Sequence, residues 1–273
     1  MSKINTNFRK FIKDVLELMR KPVMSVLPGQ LSFFLLLSLI PMMLIIGLVA
    51  PLLSVPLESI VDLINSGFPA DTSSLIIPLL EEKTLSYSTI FLIISAVLLV
   101  SKGTRSIMSV ASIIYGVEDK KNIRGIIKSI IMSILLILLF SFIIVIPVYS
   151  SRILTIINKL DLISKVSDNL IFLYGVIKWP ISIFIIYINI KIIYTISPNK
   201  RINPKSVNKG AIFTTVLWTI LTSIYSFYIS NISSYNVYYG SASKLIVLML
   251  WIYLISYIFV LGMSINANIT RQE

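Results

Sequence analysis

Six apolar stretches punctuate this chain, and none of them holds an aspartate or a glutamate. They run over 30–53, 86–101, 126–149, 170–196, 210–232 and 241–265. A helix needs about 20 mostly apolar residues to cross the hydrocarbon of a bilayer. Apolar residues make up 56% of the 273 and charged residues only 13%, and mean hydropathy is +0.91. Soluble domains carry roughly 45–50% apolar residues and about 25% charge, and a soluble core of this size has no room for the excess. The expectation is an all-α integral membrane bundle of six transmembrane helices, one membrane domain over 1–273.

Charge placement orients that bundle. Lys and Arg concentrate in cytoplasmic loops of membrane proteins. Alternate segments here carry eighteen on one side and five on the other. Both termini are therefore expected in the cytoplasm, in a multi-pass protein of the bacterial inner membrane. Residues 1–29 form a cytoplasmic amphipathic segment, 30–265 the bundle, 51–85 an extracytoplasmic cap loop and 266–273 a cytoplasmic tail. The net charge of +12 then reads as a cuff facing an anionic leaflet, each Lys or Arg near the surface being worth about 1 kcal/mol. Membrane lipids are the expected partners and nucleic acid is not. A homodimer is compatible with the pattern.

Three amphipathic segments accompany the spans. The N-terminus, MSKINTNFRKFIKDVLELMRKP, has no continuous apolar core for a removable signal peptide. It places Phe8, Phe11, Ile12, Val15 and Met19 on one helix face, and Arg9, Lys10, Lys13, Asp14, Glu17 and Arg20 on the other. Such a helix either lies among headgroups or packs on the protein's own loops. In SKGTRSIMSVASIIYG, Lys102 and Arg105 follow the second stretch, and Ile107, Val110, Ile113 and Ile114 fit an interfacial helix beyond it. The two cations snorkel at the membrane edge as anchors, or they line the mouth of a cavity and bind an anionic headgroup. In the first outer loop, two short helices near 57–64 and 75–80 are expected to cap the bundle.

Few residues suit chemistry. With no cysteine and no histidine, thiol and imidazole catalysis is excluded, and with it most transition-metal sites. No paired carboxylates stand within a span, so neither an enzyme nor a cofactor is expected and no metal site is assigned. The binding candidates are the cations Lys102, Arg105, Arg124 and Lys178. Lys178 is either interfacial beside Trp179 or faces an outward polar cavity. Pro41, Pro147 and Pro180 interrupt spans, and a mid-span proline frees a carbonyl that often lines a cavity. Gln30, Ser38, Pro41, Asn189 and Asn266 are the cavity or kink candidates. Asn266 and Asn268 are expected to cap the cytoplasmic end of span six.

Three blocks carry a family resemblance: SFFLLLSLIPMMLIIG, IIYGVEDKKNIRG, and the run from Tyr194 to Asn268 beginning YTISPNKRINPKSVNKGAIFTTVLW. In order and spacing they resemble the YihY/BrkB family of bacterial inner-membrane proteins over roughly residues 20–268. The matching positions of the last block include Tyr194, Pro198, Gly210, Ala211, Trp218, Trp251, Gly262 and Asn266. The chain departs from the family pattern at Ser264 and Asn268, where acids are usual, and at Ser112, where an asparagine is usual. The resemblance implies six spans and cytoplasmic termini. It also implies a family once labelled a ribonuclease and since regarded as transporters of lipid-like cargo. The expected function is a transporter or flippase-like protein for an amphiphilic, anionic molecule; the alternative is a non-transporting scaffold of the envelope.

Overall fold

The structure is a computed structural model. It describes residues 2–49, 57–67, 77–78, 87–118, 123, 125–137, 167–231 and 242–272. Among the described residues every regular element is helical. In chain order these are α1 (Ser2–Met19), α2 (Val23–Val49), α3 (Leu57–Gly67) and α4 (Tyr87–Tyr115), then α5 (Gly125–Ile137), then α6 (Ser167–Ile196), α7 (Asn208–Asn231) and α8 (Ala242–Gln272). By length and composition Ile94–Tyr115 and Leu245–Thr270 suffice to cross a membrane, and the bent pair Ile12–Met19 with Val23–Leu39 makes a third candidate. Residues 138–149 of the expected third span lie outside the described residues.

Local chemistry explains the helix ends. Pro22 has no N–H to extend the ladder of α1. The last turn tightens instead, with Arg20 N donating to Glu17 O and Lys21 N to Leu18 O. The chain then bends by 74° into α2. That helix runs unbroken through Pro28 and Pro41. At the end of α4, Gly116 adopts φ 65°, a left-handed conformation that favours glycine. Val117 N reaches Ser112 O at 2.9 Å and Gly116 N reaches Ile113 O at 3.2 Å, the paired bonds of a Schellman stop.

That stop corrects one expectation. The second stretch, short by itself, was bounded at Ser101, with an interfacial helix or hairpin arm expected beyond. Instead α4 is one helix of 29 residues, and Lys102 and Arg105 sit inside it. The reason is packing. Gly103, Thr104, Ser106, Ile107, Met108, Val110, Ala111 and Ser112 are all buried, so neighbouring helices cover one side of this half of α4 and support it as a continuous helix, while Lys102 and Ile113 stay exposed.

The surface is apolar where that of a soluble protein would be polar. Exposed apolar stripes run along α7 at Ile212, Val216, Ile220, Ile224 and Phe227, and along α5 at Ile127, Ile131 and Ile134. Buried among the apolar core residues are Ser38, Thr104, Ser129, Ser133, Thr214, Ser256 and Asn266. Exposed apolar area on this scale marks a surface that meets lipid or protein rather than water. α2 packs chiefly on α4, α8 on α2 and α7, α6 on α7, and α1 on α8.

Two cores result. One gathers Leu18, Met24, Leu31, Ile107, Ile114, Tyr194, Val207 and Phe259 through Ala267. The other gathers Met42, Met43, Ala96, Val100, Leu248 and Ile252 around Ile60. α3 docks on this second core through Ile60. Of the second expected cap helix only Ile77 and Pro78 are described.

The α2–α4 contact is close because Gly103 has no side chain. A Cβ there would stand 3.0 Å from Ser38 Oγ and 3.2 Å from Ser38 Cβ. Gly103→Leu is expected to force the two helices apart and to cost about 1–3 kcal/mol. Gly29→Ala, where a Cβ meets nothing within 4 Å, should instead stabilise by about 0.5–1 kcal/mol. The opposite signs would be read from thermal unfolding midpoints of the detergent-purified protein.

Candidate functional site

The closest helix contact lies where α7 crosses α8. A Cβ on Gly210 would overlap the Gly262 carbonyl and stand 2.5 Å from Asn266 Oδ1. A Cβ on Gly262 would overlap Thr214 Oγ1 and stand 2.6 Å from Tyr194 Oη. Small residues permit such backbone approach in membranes, where apolar burial no longer drives helices together.

Polar groups fasten the crossing. The first N–H groups of a helix have no partner within it. Gly210, the third residue of α7, donates its N–H to Asn266 Oδ1 at 2.7 Å. Asn266 therefore caps a neighbouring helix, not its own. This corrects its expected role, because α8 continues past it to Gln272. Its Nδ2 is buried with no partner. Tyr194, fully buried in α6, donates to Phe259 O at 2.7 Å and lies 2.7 Å from Thr214 Oγ1. Trp218 stacks on Phe259 with ring centroids 6.0 Å apart and donates to Ile255 O at 3.0 Å. Hydroxyl, amide and indole thus lock α6, α7 and α8 together.

A second polar seam joins α4 to α5. Ser101 Oγ lies 3.0 Å from Ser129 Oγ, and Thr104 Oγ1 lies 2.9 Å from both Ser129 O and Ser133 Oγ. Lys128 reaches from α5 to the end of α6, donating to Ser197 O at 3.2 Å and Pro198 O at 2.8 Å, where a cation complements the carbonyls of a helix C-terminus.

Alongside this seam runs a polar stripe on α4. Lys102, Arg105, Ser109 and Ser112 are spaced three or four apart and so share one face. Exposure falls along it. Lys102 is exposed, Arg105 and Ser109 are half-buried, and Ser112 is buried with no partner for its Oγ. The stripe covers roughly 15 Å of helix and leads from the surface into the protein. Neither α4 nor α5 contains a carboxylate to neutralise it.

The other candidates do not join this stripe as one set. Gln30 is half-buried in α2. Ser38 is buried and bonds its own helix at Leu35 O, 2.9 Å away. Pro41 is buried inside an unbroken α2. Asn189 is half-buried and spends its amide on Ile185 O at 2.7 Å. Lys178 lies in α6 with its side chain outside the described residues, and Arg124 and Pro147 also lie outside them. Among the described residues no three or more His, Cys, Asp or Glu stand together to hold a metal. The hydrogen-bonding role of Tyr194 was not legible in the sequence. The signal for the crossing was a pair of glycines, Gly210 and Gly262, which permit close helix packing.

Graded losses should follow at the crossing. Tyr194→Phe is expected to cost about 1–3 kcal/mol by stranding Thr214. Asn266→Ala should cost about 0.5–2 kcal/mol as a lost cap. Gly262→Ala should cost about 3 kcal/mol or more by overpacking against backbone and Tyr194. Thermal unfolding of the three purified variants checks both the size and the order.

Comparison with known proteins agrees with this architecture. A family model described as Virulence factor BrkB matches residues 16–273. The ribonuclease-like protein YfkH of Bacillus subtilis strain 168 is 27% identical over 255 residues, 90% of each chain. A UPF0761 membrane protein of Pseudoalteromonas translucida strain TAC 125 is 33% identical over 81 residues, covering 30% of this chain and 27% of its own. Another, of Pseudoalteromonas atlantica, is 36% identical over 75 residues, 28% of this chain and 25% of its own. No solved structure matches the chain. The family match spans nearly the whole sequence, and two of these relatives are named membrane proteins: the chain belongs to the BrkB family.

Proposed function

We propose that this protein is a six-span bundle of the bacterial inner membrane, with both termini cytoplasmic, that moves an anionic amphiphile between leaflets. The six-span reading rests on the three candidate spans together with α5, α6 and α7, which carry their own exposed apolar stripes. The orientation is supported by the first core, which brings together Leu18, Ile114, Ile202, Val207 and Ala267. The basic connections of the chain therefore meet at one end, as cytoplasmic loops do.

The observation that carries the transport reading is the α4 stripe. Charges inside a candidate span are costly and are retained where they serve ions or substrates. Lys102 and Arg105 supply two cations, while Ser109 and Ser112 supply hydroxyls that replace water around a phosphate or carboxylate headgroup. The exposed apolar faces of neighbouring helices leave acyl chains in the lipid throughout. Catalysis forms no part of this proposal. The chain has neither histidine nor cysteine, and the stripe holds no base or carboxylate pair.

The test is movement of fluorescent phosphatidylglycerol and phosphatidylcholine between leaflets of proteoliposomes. Phosphatidylglycerol is expected to move faster than in empty vesicles, and Lys102→Gln with Arg105→Gln to slow it about tenfold. Absence of movement for either lipid returns the two cations to anchors and favours the scaffold reading.

A further inference from the structure

We infer that α1 is a docking helix for the surface of an anionic bilayer, bound through a face that the protein itself leaves uncovered. The helix divides into three faces. Leu18 is buried in the first core with Val15 packed beside it, and this face meets α8. Ile12, Leu16 and Met19 form a second face at 43%, 52% and 41% exposure. At about 100° per residue, Arg9, Arg20 and Lys13 lie on the flank adjoining this stripe. Glu17 and Asp14 lie farther round, away from it. Arg9, Lys13, Glu17 and Arg20 are all exposed.

Three observations commit this face to lipid rather than to protein. The 74° bend between Ile12–Met19 and Val23–Leu39 turns α1 toward the membrane plane when α2 crosses it. Beyond the bend at Arg20–Pro22, exposed apolar residues resume on α2 at Val23, Val26, Phe33 and Leu37, a surface suited to hydrocarbon. The basic flank borders the stripe on the side away from the protein, while the acidic residues avoid it. That order suits a helix lying at the headgroup boundary, its apolar side chains immersed and its cations among anionic headgroups. Because Leu18 sits in the same core as Tyr194, Phe259 and Met263, bilayer contact through α1 bears directly on the α7–α8 crossing. The inference does not depend on transport.

The chain contains no cysteine, so single reporters can be placed without altering a native thiol. Leu16→Cys and Lys13→Cys would carry an environment-sensitive fluorophore in the full-length protein. The labelled proteins would be reconstituted in nanodiscs of phosphatidylcholine alone or with phosphatidylglycerol. Quenching by a lipid-borne spin label near the headgroup is expected at Leu16 at least twofold above Lys13, and to rise with phosphatidylglycerol. Iodide in the buffer should quench the Lys13 site and spare the Leu16 site. Ile12→Cys gives a second reading should the Leu16 variant not fold. Equal iodide quenching at both sites would overturn the inference, since the stripe would then face water. Protection of Leu16 from both quenchers would overturn it too, because a second copy or another part of the chain would cover the face. Quenching unchanged by phosphatidylglycerol would remove the electrostatic contact and refute the anionic surface as partner.

Discussion

The backbone approach of Gly210 to Gly262 is the contact on which the bonds joining α6, α7 and α8 depend. Between helices in lipid there is no water to expel, so attraction comes from close packing and from bonds that need it. The cap from Asn266 to Gly210 N at 2.7 Å exists only because no Cβ separates the two backbones. The same holds for Tyr194, whose hydroxyl reaches Thr214 and Phe259 O across a space that a side chain on Gly262 would fill. Once α7 is held, α8 becomes the post against which α2, α4 and α1 also pack.

Most hydroxyls in these helices are satisfied at home. Ser38, Ser133, Thr195, Thr215, Thr219 and Ser264 each donate to a carbonyl three or four residues back. A hydroxyl bonded this way sits in apolar surroundings at little cost and needs no partner helix. The informative groups are those that leave their own helix, among them Thr104, Lys128, Tyr194, Trp218 and Asn266, and those left without a partner, among them Ser106, Ser112 and Asn266 Nδ2. An unpaired buried donor costs about 1–3 kcal/mol, and two of these groups, Ser106 and Ser112, belong to α4 beside its cations.

The continuity of α4 changes the meaning of its cations. At the end of a span, Lys102 and Arg105 would be anchors with stems reaching to headgroups. Inside a helix of 29 residues, with buried hydroxyls on either side, they begin a polar track with no acid of its own helix to neutralise it. On α1 the same kind of charge serves a different arrangement. There Arg9, Lys13 and Arg20 border an apolar stripe on the rim of the bundle. One basic composition therefore supplies two separate cationic surfaces, one inside α4 and one along α1.

Much of the architecture was legible from periodicity and charge alone. Apolar length marks helices suited to lipid, and clustered Lys and Arg mark their charged edges, because both depend on the bilayer and not on partner residues. Two sequence expectations did not survive folding. Gly116 ends α4, not Ser101, because neighbouring helices packed on one side support the residues between them. Asn266 caps α7 from the middle of α8, because a side-chain amide bonds whichever backbone stands within about 3 Å. Neither fact can be read along the chain, since each depends on which helix arrives beside which. The sequence by itself determined a membrane bundle and its charge asymmetry. Only the tertiary structure decided the glycine crossing, the three-way division of α1 and the inward course of the α4 stripe, because those are contacts between residues far apart in sequence.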